Sequence, residues 1–146
     1  DSADASFTRM ADVYRAANGD AHFTVAVALS NRATVYSEQG QFARAEAIYR
    51  DVVQRFARAQ GAEHVNTGIA RIKLGRSLIR QRRWREGIAE SEAGYEVVNR
   101  QSEPGVSFLQ AARKDLAEAY AALAQPSTAA RWLDEWEKYG PKATGR

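Results

Sequence analysis

At 146 residues with no cysteine, the chain is one domain or an array of repeats, and neither a disulfide framework nor thiol catalysis is open to it. Hydrophobic residues make up 45% and charged residues 27%, ordinary for a globular protein, and no apolar run approaches the roughly 18 residues of a membrane span, so no membrane contact is expected. The 21 basic and 18 acidic residues leave a net charge of +3, too small for its sum to name a partner.

The opening Asp1-Ser2-Ala3-Asp4 is acidic and lacks the apolar core of a signal peptide, and a cytoplasmic location is the expectation. From there on Ala, Leu, Arg, Glu and Gln dominate, and apolar residues return at three- and four-residue intervals, which predicts helix almost throughout. The joints fall at Asn18-Gly19-Asp20, Gly40, Gly61, Glu103-Pro104-Gly105 and Gln125-Pro126. Gly suits helix C-termini and Pro the first helical turn. Seven helices are predicted, over 3–17, 21–38, 41–59, 64–81, 84–101, 105–123 and 126–139, with a flexible tail over 140–146.

A period of 42 residues orders these helices. Gly19-Asp20-Ala21-His22 recurs as Gly61-Ala62-Glu63-His64, and Gly19, Gly61 and Glu103 mark successive handovers. Self-similarity at this period predicts a solenoid, an all-α superhelix of stacked antiparallel helix pairs. The single array over 1–139 divides into a half repeat (3–17) and repeats over 21–59, 64–101 and 105–139. A lone opening helix leaves one flank uncovered, so the chain is expected to belong to a longer array or to self-associate through that helix.

Small residues placed to meet aromatic ones recur in each unit: Ala33, Tyr36, Gly40, Ala45 and Tyr49; Gly75, Leu78, Trp84, Gly87 and Ser91; Ala117, Tyr120, Ala129 and Leu133. This pattern resembles the tetratricopeptide repeat, and the extra residues in each 42-residue unit, with the Gly-x-x-His handover, resemble its kinesin-light-chain subclass, a form widespread in bacterial signalling proteins. The resemblance covers residues 3–139 and implies a right-handed superhelix whose first helices line a concave groove.

It also implies which side chains face that groove: Val27, Ser30, Asn31, Thr34, Ser37 and Glu38; Ile69, Ile72, Lys73, Arg76, Ile79 and Arg80; Ala111, Lys114, Asp115, Glu118, Ala121 and Ala122. Chaperone-binding members of the family hold a terminal carboxylate with an Asn and basic residues at such places, and Asn31 and Lys73 match two of them. Independently of the family, Lys73, Arg76, Arg80 and Arg83 follow a three-four-three spacing and share one helical face, able to make charge-assisted bonds to carboxylates. Asp115 and Glu118 stand ready to pair with Arg76 and Arg80. The expected contact set is Ser30, Asn31, Thr34, Lys73, Arg76, Arg80 and Lys114, for a protein or peptide partner that is acidic where it meets the basic residues.

Catalysis finds no support: the two histidines, His22 and His64, are repeat equivalents suited to structural roles, and no phosphate loop, metal-ligand set or triad can be assembled. No cofactor or metal is expected, and a non-catalytic scaffold is. The competing reading is an electrostatic nucleic-acid surface on the basic stretch 69–85, for which the net charge is small and no recognised motif is present. Trp132, Trp136 and Tyr139 share one face of the last helix and either cap the array or dock another domain.

Overall fold

The computed structural model describes residues 9, 10 and 22–141. Among these residues there are six helices and no strand: α1 (His22–Glu38), α2 (Phe42–Gln60), α3 (Val65–Arg80), α4 (Trp84–Gln101), α5 (Ser107–Ala122) and α6 (Pro126–Lys138). Each lies within two residues of its expected bounds. The half repeat at 3–17, with the self-association assigned to it, and the tail beyond Pro141 lie outside the described residues, apart from Arg9 and Met10. Met10 packs against Val25 and Ala28 of α1.

The period reappears in the backbone. Residues Gly40, Arg82 and Ala124, 42 apart, take positive φ of 76°, 63° and 58°. The next residues, Gln41, Arg83 and Gln125, donate to the carbonyls of Tyr36, Leu78 and Tyr120 at 2.8, 3.0 and 2.9 Å. This six-residue closure satisfies a carbonyl left free at the helix end and reverses the chain. Phe42, Trp84 and Pro126 then open α2, α4 and α6. Only the first turn carries glycine at the left-handed position, which costs an L-residue roughly 1–2 kcal/mol. Arg82 is exposed, so Arg82→Gly is expected to stabilise the protein by about 0.5–1 kcal/mol after the unfolded-state entropy of glycine is deducted. Thermal unfolding should show a rise of a few degrees; a fall would mean that the turn is not left-handed in solution.

Short connections make neighbouring helices antiparallel, and small residues let them close up. As α3 advances from Gly68 to Gly75, its neighbours on α4 recede from Val97 and Val98 to Gly87 and Ser91. A Cβ on Gly94 would lie 2.4 Å from the carbonyl oxygen of Gly68, and one on Gly87 only 3.0 Å from that of Gly75. The two backbones are therefore in direct contact.

Three apolar clusters run along the stack, each bridging one helix pair to the next. Ala26, Ala33, Tyr36, Ala45, Tyr49, Val52, Phe56, Leu74 and Leu78 join α1, α2 and α3. Ile72, Val98, Leu109 and Ala112 join α3, α4 and α5. Ile79, Ile88, Leu116 and Ala119 continue the core towards α6, with Trp84, Tyr120 and Trp132 packed on them. Ile72 and Ile79, expected to face the groove, are 2% and 1% exposed and belong to this core. The i, i+7 pair lies on the side of α3 that meets α4 and α5, where burial of each side chain stabilises by about 1.5–3 kcal/mol. Leu133, placed by the repeat pattern at a packing position, is exposed instead, on the last helix of the described stack.

Candidate peptide-binding groove

α1, α3 and α5 share one face, on which α3 and α5 also touch directly. Two cavities open there. The first, of about 290 Å³, is walled by Val27, Phe56, Ile69 and Phe108 and carries Ser30, Asn31, Asn66 and Lys73 as polar groups. Val27 and Phe108 are two of the four large apolar side chains left exposed among the described residues. The second cavity, of about 350 Å³, is lined by Arg76 and Arg80 of α3, by Gln110, Lys114, Asp115 and Glu118 of α5, and by Trp136 of α6.

Six of the seven expected contact residues line these cavities: Ser30, Asn31 and Lys73 the first, Arg76, Arg80 and Lys114 the second. Thr34 lines neither. Its hydroxyl donates to the Ser30 carbonyl at 3.0 Å and is hydrogen-bonded to the Tyr49 hydroxyl at 3.0 Å, fastening α1 to α2. Asn66 and Phe108 were missed in sequence. Their signal was the period: Asn66 extends the spacing of Ile69, Lys73, Arg76 and Arg80 by one turn, and Phe108 is its equivalent 42 residues on.

The cations of the groove fall into two kinds. Arg80 pairs with Asp115 at 3.2 Å and with Glu118 at 2.9 Å, and the Nε of Arg76 lies 3.8 Å from Asp115. Asp115 is 2% exposed; burial pushes its carboxyl above the usual range, against the opposing pull of the two arginines. Lys73 and Lys114 have no carboxylate within 4.0 Å among the described residues, and each ammonium instead stands over a ring, Phe108 at 5.6 Å and Trp136 at 4.4 Å. Burial pushes the Lys73 ammonium below its ordinary value.

The rest of the basic stretch 69–85 is dispersed. Arg71 turns to Glu90 of α4 at 3.0 Å, and Arg83 reaches Glu46 of α2 at 2.6 Å and Glu86 of α4 at 2.9 Å. Glu46 gathers Arg83, Arg50 and Gln81; burial raises its carboxyl, but these bonds and charges outweigh that and hold it below the usual range. Residues contiguous in sequence thus serve three different contacts between helices.

The aromatic residues of the last helix also separate. Trp136 faces the groove, whereas Trp132 packs edge-on against Tyr95 of α4, with ring centroids 4.9 Å apart. Trp132 borders a third cavity, of about 500 Å³, with Glu92, Tyr120, Arg131, Asp134 and Glu135. There the Tyr120 hydroxyl donates to Glu92 at 2.6 Å, and burial together with that carboxylate pushes it up to about 12. His64 caps α3, its Nδ1 accepting from the Asn66 amide at 3.0 Å, as its place at the handover implied. Among the described residues no three His, Asp or Glu side chains are grouped to hold a metal, and no helix is long and apolar enough to cross a membrane.

Comparison with known proteins agrees with this fold. The crystal structure of BtubC (BKLC) from P. vanneervenii is similar in fold, with a TM-score of 0.75 and 18% sequence identity. The match covers 97% of this chain and 63% of that one, so the chain spans less than two thirds of that protein's length. Among curated proteins none matches. The family model described as tetratricopeptide repeat matches residues 24–100, more than half of the 146-residue chain. Tetratricopeptide repeats generally mediate protein–protein interactions and form a non-catalytic interaction fold. With its helix pairs, its repeated turn and this match, the chain belongs to the tetratricopeptide repeat family.

Proposed function

We propose that this array is a non-catalytic adaptor that binds an extended, acidic segment of a partner protein along the face of α1, α3 and α5. The carrying observation is the pair of cavities on that face, which together hold Ser30, Asn31, Lys73, Arg76, Arg80 and Lys114. Asn31 and Asn66 offer amides to the backbone of an extended segment, Val27 and Phe108 offer exposed apolar surface, and the cations offer charge-assisted bonds to its carboxylates. Thr34 contributes by fixing α1 rather than by contact. An electrostatic nucleic-acid surface on residues 69–85 fits less well, because Arg71, Arg76, Arg80 and Arg83 are each tied to a carboxylate and point to different helices. Phosphate binding gains from each cation free to neutralise a phosphate, and four of the cations in this stretch are already paired within the chain.

Lys73→Met tests this reading. Methionine keeps the apolar stem as far as the ε carbon and removes a charge that is only partly solvated where it stands. Because burial lowers the Lys73 pKa, the folded state binds this proton less well than the unfolded chain does. Removing the charge is therefore expected to leave the melting temperature unchanged or raised at neutral pH. Fluorescence anisotropy with a labelled hexaglutamate peptide should show a loss of about tenfold in affinity, the scale of one charge-assisted contact. Undiminished binding would remove Lys73, and with it the first cavity, from the site.

A further inference from the structure

The arginines of the groove are already occupied. The Asp115 side chain is buried beneath them, with Oδ1 3.2 Å from Arg80 and Oδ2 3.8 Å from Arg76, and Oδ2 accepts no hydrogen bond among the described residues. Glu118, about half exposed, takes the other nitrogen of Arg80 at 2.9 Å. A carboxylate arriving from a partner thus meets two carboxylates of the chain itself, while Lys73 and Lys114 meet it unopposed.

Resting on the reading above, that the groove receives an acidic segment, we infer that Asp115 and Glu118 are built-in competitors for Arg76 and Arg80 and set how tightly that segment is held. The groove divides its labour accordingly. Lys73 and Lys114 recruit the acidic segment, because their charge is unneutralised and their rings hold the ammonium groups in place. Glu118 stands in solvent and yields Arg80 at little cost, since an exposed ion pair is weak. Asp115 has no solvent to retreat into, so it keeps its hold on both arginines. The arrangement disfavours a partner that offers only one carboxylate to the arginine cavity and favours one whose carboxylates reach both lysines.

The test titrates labelled hexaglutamate into wild type, Glu118→Gln, Asp115→Asn and the double variant of the two, at low ionic strength and with helicity checked by circular dichroism. A second double variant, Asp134→Asn with Glu135→Gln, removes the same formal charge beside the outer cavity. Expected are a gain of about threefold for Glu118→Gln and about tenfold for the groove double variant, with the outer double variant within about twofold of wild type. Glu118→Gln carries the test by itself if Asp115→Asn folds poorly, because Glu118 is exposed. Wild-type binding that neither groove change tightens would overturn the competition and leave the groove reading standing. Equal gains from the groove and outer double variants would also overturn it, since net charge alone would then explain them. No binding by wild type or by any groove variant would overturn both.

Discussion

Replacing Gly94 by alanine is expected to destabilise the protein by about 2 kcal/mol or more, although alanine is the better helix former by about 1 kcal/mol. The added Cβ would lie 2.4 Å from the Gly68 carbonyl oxygen and 2.9 Å from the Ile72 nitrogen. Both are backbone atoms of α3, so no rotamer change makes room, and α3 and α4 must separate along their contact. Overpacking of a core costs about 1–3 kcal/mol where side chains can yield, and more where they cannot. Gly105→Ala is the control: its nearest neighbour, the Tyr139 carbonyl oxygen, is 3.5 Å from the added carbon, an ordinary contact. Urea unfolding should show a much lower midpoint for Gly94→Ala and an almost unchanged one for Gly105→Ala. A Gly94→Ala variant as stable as wild type would mean that the two helices are not in backbone contact.

A loss of about 2–5 kcal/mol is expected for Arg113→Ala. Arg113 is 0% exposed and has no carboxylate within 4.0 Å among the described residues. Its guanidinium donates instead to the Pro104 carbonyl at 2.7 Å, the Gln110 side-chain oxygen at 2.7 Å and the Tyr95 hydroxyl at 3.1 Å. The Tyr95 and Tyr139 rings lie 5.4 and 4.7 Å from it. One side chain thereby holds α4, the loop before α5, α5 itself and the residue that follows α6. Alanine leaves a cavity and takes the donor away from the Pro104 carbonyl, the Gln110 side-chain oxygen and the Tyr95 hydroxyl together. Arg113→Met fills most of the cavity and removes the cost of burying the charge, so its loss should be less than half as large. Calorimetric melting of the two variants checks the order; equal losses would assign the effect to the charge and its bonds alone.

The helix pairs were legible because the period writes the same joint three times, and a joint fixes its helix ends with local bonds. Arg82 and Ala124 show the limit of residue identity: neither side chain favours positive φ, and only their distance from Gly40 betrays the conformation. Gly75 and Gly87 were readable as motif positions, whereas Gly68 and Gly94 belong to no motif and matter only because two helices meet there. Ile72 and Ile79 were misplaced because the apolar stripe of α3 must cover both α4 and α5, and one sequence does not say where the stripe stops and the groove begins. Arg113 resembles any surface arginine in sequence, since its bonding partners come from α4, the preceding loop and its own helix. The groove itself was half legible. The face could be read from the family resemblance and from the spacing of its cations, and the pairing of Asp115 and Glu118 with Arg76 and Arg80 was expected and is present. The burial of Asp115 and the seating of Lys73 and Lys114 over rings were not legible, because both depend on how α5 and α6 dock on α3.

Amide chemical-shift mapping of the ¹⁵N-labelled protein during a hexaglutamate titration locates the bound segment residue by residue. Shifts concentrated at Asn31, Asn66, Lys73 and Lys114, with the amides around Glu92, Thr128 and Arg131 unmoved, are the expected result. Shifts confined to that outer cavity between α4 and α6, or saturable binding with no shifts on α1, α3 and α5, would contradict it.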